Sequence, residues 1–115
     1  SLQNKTIMKD LERTVNYIDT LTDYTLDKNS YLYGRLLIHL KCLFNRLITD
    51  EKKTFDRTFM DEVSRSLKIA HGEEWEYAAK ISDFMKSELH LNVSDEEAAY
   101  LTMHIVPILK QKGGK

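Results

Sequence analysis

Residues 31–47, YLYGRLLIHLKCLFNRL, carry the pattern on which the fold prediction depends. At the 3.6-residue period of an α-helix, a row of leucines falls on one arc, and further apolar side chains widen it. The arc consists of Leu32, Leu36, Leu40, Leu43 and Leu47, with Tyr33, Leu37 and Phe44 beside it. This pattern predicts a helix that is buried along one side.

One margin of the arc is polar and holds Arg35, His39 and Arg46 within about 40° of one another. A neutral imidazole is nucleophilic near neutral pH because its ordinary pKa is about 6.5, and guanidinium groups pair with phosphoryl oxygens. By position alone, such a histidine is more often a structural residue at a core boundary, and such arginines are more often solvated. A functional interpretation of this margin therefore needs a second feature of the sequence.

Length and composition limit the class of protein. The chain has 115 residues and predicts one domain, residues 1–115, with a core over about 4–111. Its net charge of -1 gives no electrostatic footprint for direct contact with nucleic acid. The single cysteine, Cys42, fits a reducing compartment. The absence of a membrane-length apolar run or signal-peptide pattern predicts a cytoplasmic protein without membrane insertion.

The first four helices are predicted from apolar spacing and from the scarcity of proline and glycine. The first runs from about Asn4 to Tyr24, with Met8, Leu11, Val15, Ile18 and Leu21 as its apolar face. The second, capped by Asp27, Asn29 or Ser30, runs to about Ile48. The third is marked by Phe55, Phe59, Val63, Leu67 and Ala70 and is expected to stop at Gly72. The fourth is lined by Trp75, Ala78, Ile81, Met85 and Leu89 and closes at Leu91 and Asn92.

The fifth helix begins at a capping box, Ser94-Asp95-Glu96-Glu97, in which the Ser94 and Glu97 side chains each satisfy the other's backbone N–H. Its apolar face is formed by Ala98, Leu101, Ile105, Ile108 and Leu109. His104 lies at the margin of that face, and Pro107 predicts a kink or an early end because proline lacks an N–H. The whole pattern predicts an all-α, single-domain five-helix bundle.

Two stretches carry a resemblance to a known family. They are RLLIHLKCLFNR, with Arg35, His39, Leu40, Lys41 and Arg46, and DEEAAYLTMHI, with Asp95, Glu96, Tyr100 to Thr102, His104 and Ile105. In order and wording they resemble a PTS regulation domain (PRD), and most closely the second PRD of the BglG/SacY-type transcriptional antiterminators. The resemblance extends from about Asn4 to Gln111.

The resemblance implies a non-enzymatic regulatory domain, a fragment of a larger transcriptional antiterminator or regulator. His39 and His104 would accept phosphoryl groups from the sugar phosphotransferase system, with phospho-HPr or a sugar-specific enzyme II as the donor. The domain would form a homodimer whose arrangement changes on phosphorylation and controls an attached RNA-binding or DNA-binding domain. Arg35 and Arg46 would support the phosphate, and no catalytic residue, cofactor or metal is expected.

Three alternatives compete with this interpretation. The strongest is a helical dimerisation module whose histidines are never phosphorylated. A metal site at His39, His104, Glu97 and Cys42 is disfavoured because no helix offers a typical pair of ligands and two arginines would repel a cation. A histidine phosphotransfer bundle is disfavoured by the five-helix pattern with two histidines. His71 and His90 match no motif and are expected at helix ends.

Overall fold

The computed structural model describes residues 2–21, 26–49 and 56–113, and their side chains from residue 5 to residue 110. The described residues form five helices, which confirms the all-α five-helix prediction: α1 (Leu2–Leu21), α2 (Tyr31–Thr49), α3 (Arg57–Ala70), α4 (Gly72–Leu89) and α5. Helix α5 continues from Asp95–Tyr100 through a π-helical turn, Leu101–Ile105, into Val106–Gly113. The predicted end of α1 beyond residue 21 and the predicted position of Phe55 lie outside the described residues.

Helix α2 supplies the centre of the core. Leu36, Leu40, Leu43 and Phe44 are 0% exposed, and Leu32, Tyr33, Leu37 and Leu47 are half-buried against the same cluster. The helix is capped at its start by Ser30, whose Oγ accepts a hydrogen bond from the Tyr33 N–H at 3.1 Å. It packs against α1 and against the π turn and C-terminal half of α5. Helix α2 therefore packs against both the first and the last helix.

The apolar faces of α1 and α3 differ from the predicted ones. In α1, Met8 is 55% exposed and Ile7 is buried instead. In α3, Phe59 is 51% exposed and Ala70 is also exposed, whereas Met60 is buried. At Met8 and Phe59 the adjacent apolar residue faces inward instead, and the packing partner decides which of the two does so. The predicted exposure was wrong at these three positions.

The break between α3 and α4 lies at His71, directly before Gly72, the residue predicted as the stop of α3. The His71 N–H donates to the Leu67 carbonyl at 2.8 Å, which completes the last turn of α3. The His71 carbonyl accepts from the Trp75 N–H at 2.9 Å, so Gly72 is the first residue of α4. One histidine thus satisfies backbone groups of both helices, as its predicted helix-end position requires.

Helix α4 ends in a left-handed turn at His90, which has φ 57° and ψ 36°. The His90 and Leu91 N–H groups both donate to the Met85 carbonyl, the latter at 3.1 Å. This arrangement satisfies orphan groups at the helix end but usually uses glycine, because a Cβ is strained at positive φ. Helix α4 therefore ends two residues earlier than the closing pair predicted from the sequence, and His90 occupies a helix terminus as expected.

Helix α5 begins as predicted at Ser94, whose Oγ accepts from the Glu97 N–H at 3.3 Å. Pro107 does not end the helix, contrary to one of the two predicted outcomes. The helix departs from α geometry in the turn before it, where the Val106 N–H donates to the Leu101 carbonyl five residues back. His104 lies within this π turn. No helix among the described residues is both long and apolar enough to cross a bilayer.

The left-handed turn at His90 predicts a stabilising substitution. His90→Gly should raise the free energy of unfolding by about 1 kcal/mol, since glycine removes the Cβ strain at positive φ. The measurement is urea denaturation followed by circular dichroism. His71→Gly is the matched control, because His71 is also a helix-end histidine but has φ -135°. It should not be stabilised, and equal gains at both positions would contradict the strain argument.

Candidate functional site

The two motif histidines meet where α2 packs against α5. The His39 and His104 rings stack with 5.8 Å between their centroids and an interplanar angle of 12°. His39 is half-buried on α2, whereas His104 is exposed on the π turn of α5. The structure therefore brings together two side chains that lie at the margins of separate apolar faces.

Arg46 is fixed beside these rings by a two-point ion pair with Glu97. Its Nε and NH2 groups donate to the two carboxylate oxygens at 2.9 and 2.8 Å. The two side chains are only 15% and 14% exposed. Such a planar, partly desolvated pair is stronger than an exposed one. Glu97 was expected to reach back to Ser94, and that half of the capping box was wrong because its carboxylate binds Arg46.

Tyr100 links this ion pair to both histidines. Its ring lies under the Arg46 guanidinium, 4.3 Å from Cζ to the ring centroid, and 4.9 Å from the His104 ring. Its hydroxyl oxygen lies 3.0 Å from His39 Nδ1 and 3.3 Å from the His39 carbonyl oxygen. Tyr100 therefore contacts His39, Arg46 and His104, each through a ring contact or a hydrogen bond. These four residues and Glu97 form the cluster.

Arg35 takes a different place from Arg46. It is exposed, and its charge acts on His39 without a described hydrogen bond. Burial lowers the pKa of His39, and the positive charges that His104 and Arg35 can carry lower it further. The imidazole of His39 is therefore neutral at physiological pH, the state in which a ring nitrogen has a free lone pair.

A groove of about 340 Å³ opens beside the cluster, between α3 and α5. Arg46, Glu97, Tyr100 and His104 line its polar side, and Phe59, Met60, Val63, Ala99 and Met103 line its apolar side. Of the apolar residues, Phe59 is 51% and Met103 is 47% exposed. His104 thus stands at the border between a charged cluster and exposed apolar surface.

The sequence analysis named Tyr100 only as a motif residue and Glu97 only as a cap residue and an alternative metal ligand, and it assigned neither to the phosphoryl site. Their spacing from His104, four and seven residues, places all three on one face of a helix and is the signal that could have found them.

Cys42 is exposed. Within the described ranges, no three His, Cys, Asp or Glu side chains converge as metal ligands would.

The lowered pKa of His39 predicts a pH dependence of stability. The pKa of His39 in the folded state lies below the unfolded value of about 6.5. As the pH falls through the unfolded value, the unfolded state therefore binds more protons than the folded state, and the free energy of unfolding decreases. The free energy of unfolding should therefore fall more steeply between about pH 7.5 and 5 for the wild type than for His39→Gln. Identical slopes for the wild type and His39→Gln would contradict the argument.

The ion pair predicts a measurable coupling energy. Arg46→Ala should cost about 1–3 kcal/mol of stability because it leaves a poorly hydrated carboxylate without a partner. In a double-mutant cycle with Glu97→Ala, the coupling should be about 0.5–3 kcal/mol. The Arg13–Glu88 pair, 3.7 Å apart with side chains 44% and 56% exposed, is the control. It should couple by less than about 1 kcal/mol, and a pair at Arg46 no stronger than this control would refute the prediction.

Comparison with known proteins identifies the family. The family model described as "PRD domain" matches residues 12–107. The transcription antiterminator LacT of Lacticaseibacillus casei is 30% identical over 83 residues, which are 72% of this chain and 28% of LacT. Protein GlcT of Staphylococcus haemolyticus is 29% identical over 105 residues, 91% of this chain and 34% of GlcT. Protein GlcT of Staphylococcus epidermidis is 26% identical over 99 residues, 86% of this chain and 34% of its own length.

No solved structure matches the chain significantly. The chain spans about one third of the length of the relatives it matches. The matched segment contains His39, Arg46, Glu97, Tyr100 and His104, so the whole cluster lies inside the family's extent. The chain belongs to the PRD domain family.

Proposed function

We propose that this chain is a phosphorylation-controlled regulatory domain of a cytoplasmic transcriptional antiterminator or related regulator. It accepts phosphoryl groups on His39 and His104 from proteins of the sugar phosphotransferase system, phospho-HPr or a sugar-specific enzyme II, and transmits the change through a homodimer. Membership of the PRD family and the similarity to LacT support a regulatory rather than a catalytic role. The observation that carries the proposal is the stack of the two motif histidines.

The chemistry of the cluster suits phosphoryl transfer. A neutral imidazole attacks phosphorus without needing a separate base, and the environment of His39 favours that neutral form. His104 is exposed, so a donor protein can reach it directly. The charges of Arg35 and Arg46 offset the negative charge that develops on the transferred group.

The stack makes phosphorylation a strong local perturbation. A phosphoryl group carries about -1.5 to -2 charges. At the 5.8 Å spacing of the two ring centroids, two such groups would repel each other by roughly 1.5–11 kcal/mol for an effective dielectric constant between about 80 and 20. Inverting a two-state population from 1:99 to 99:1 needs about 5.5 kcal/mol. Double phosphorylation therefore supplies free energy of the size that a shift of the α2–α5 packing or of a dimer interface requires.

Arg46 supports the phosphate by exchange of partners. Its guanidinium is occupied by Glu97, so it binds a phosphoryl group only by leaving or sharing that carboxylate. The phosphate competes well because it carries more charge than a carboxylate. Arg35 has no such competitor among the described hydrogen bonds and is available from the start. The two arginines then act at different stages of the response.

Self-association has surface available to it. Large apolar side chains are exposed on several helices: Met8, Tyr31, Ile38, Phe59, Ile69 and Met103. Of these, Phe59 and Met103 line the same groove, and contiguous exposed apolar side chains are typical of surfaces that another chain covers. They support the homodimer within the proposal.

A phosphotransfer assay tests the proposal. Incubation with phosphoenolpyruvate, enzyme I and HPr should add acid-labile phosphate to the wild type, less to His39→Ala and to His104→Ala, and none to the double variant. Intact-mass spectrometry gives the stoichiometry, and His71→Ala is the control that should behave as the wild type. A wild type that takes up no phosphate from HPr or from a panel of enzyme II proteins would leave the phosphorylation-silent dimerisation module as the better function.

The same samples test whether phosphorylation changes self-association. Sedimentation velocity should show a change in the monomer–dimer distribution on phosphorylation of the wild type. Arg46→Ala should take up phosphate but show a smaller change in the monomer–dimer distribution, because the guanidinium that stabilises the phosphorylated state is gone. A full response in Arg46→Ala would remove Arg46 from the phosphate-supporting group.

A further inference from the structure

The contact between Tyr100 and His39 distinguishes the two nitrogens of the His39 ring. The Tyr100 hydroxyl oxygen is 3.0 Å from Nδ1 and 3.3 Å from the His39 carbonyl oxygen. When the hydroxyl hydrogen goes to the carbonyl oxygen, which can only accept, the hydroxyl oxygen is left to accept from Nδ1–H. All three groups are then satisfied with one proton on Nδ1.

Tyr100 is held firmly enough to impose this choice. Its ring lies against the Arg46 guanidinium, which Glu97 fixes in turn through two hydrogen bonds. Burial raises the pKa of Tyr100, so its hydroxyl remains protonated at physiological pH. The hydroxyl cannot swing away from His39 without breaking this arrangement.

The other nitrogen of His39 is differently placed. Nε2 has no hydrogen-bond partner among the described residues, whereas Nδ1 is covered by the tyrosine hydroxyl. With the proton on Nδ1, the lone pair of the neutral ring lies on Nε2. The unoccupied hydrogen-bonding position among the described residues and the tautomer therefore select the same atom.

We propose that His39 accepts its phosphoryl group on Nε2 and that Tyr100 is the positioning residue that selects this nitrogen. The inference rests on the proposed function, since it names the atom at which that function acts. Tyr100 would then act only through His39, without contacting the donor protein or the phosphorus.

The transfer step balances without an additional base. The donor is a protein phosphohistidine whose ring is protonated on its second nitrogen. The Nε2 lone pair of His39 forms the new P–N bond, and the donor P–N bond breaks with its electrons returning to the donor ring, which leaves neutral. His39 keeps its proton on Nδ1 and becomes a phosphoimidazolium, whose Nδ1–H still donates to Tyr100. The proton of the acceptor never has to move during the reaction.

The first test needs no phosphate. In a long-range ¹H–¹⁵N correlation spectrum at a pH where His39 is neutral, His39 should show the lone pair on Nε2 and the proton on Nδ1. Tyr100→Phe should shift it to the tautomer with the proton on Nε2, which an unrestrained histidine side chain prefers. His71 and His90 are internal references whose tautomers should be unchanged, and circular dichroism shows whether the variant is folded. An Nε2–H tautomer at His39 in the wild type would overturn the role of Tyr100.

The second test reads the phosphorylated atom. Wild-type and His104→Gln proteins, labelled with ¹⁵N and phosphorylated with phosphoenolpyruvate, enzyme I and HPr, should show ³¹P coupling to Nε2 of His39. Tyr100→Phe should lose this single isomer and give less phosphate at His39. Phosphate on Nδ1 of His39 would overturn the inference and leave the proposed function intact, whereas a wild type with no phosphate on His39 would overturn both.

Discussion

The bidentate ion pair between Arg46 and Glu97 is the interaction on which the rest of the site depends. It joins α2 to the first turn of α5 across 51 residues of sequence, with both side chains largely withdrawn from water. The pair fixes the guanidinium over the ring of Tyr100, and Tyr100 in turn meets His39 and approaches His104. Without it, a charged side chain would be left partly buried, and the aromatic ring would lose its support.

The site combines a rigid side with an accessible one. His39 belongs to a helix whose Leu36, Leu40 and Phe44 are fully buried, so its backbone is fixed by the core. His104 belongs to a π turn and is exposed at the edge of an open groove. The proposed phosphoryl transfer would use both properties, since an acceptor ring must be held in place and a donor must reach the site. The packing of α2 against α5 supplies them from two different helices.

Much of the fold followed from the spacing of apolar residues. The buried arc of α2, the buried face of α4 and the Ser94 start of α5 are present as predicted. The errors arose where two adjacent apolar residues compete for one inward position, as Ile7 and Met8 do, or where a residue has two possible partners. Glu97 illustrates the second case, because its capping role was local and visible, whereas Arg46 is distant in sequence and gives the stronger contact.

The sequence alone determined the helices and the two histidine motifs, because periodicity, caps and motif spacing are local properties of the chain. It also indicated that His39, Arg46 and His104 lie at the margins of apolar faces. Only the tertiary structure decided which margins meet: the ring stack and the tyrosine contact with His39 join α2 to α5, the latter across 61 residues of sequence. Such contacts depend on how each helix is rotated about its axis, which the packing of the whole core sets.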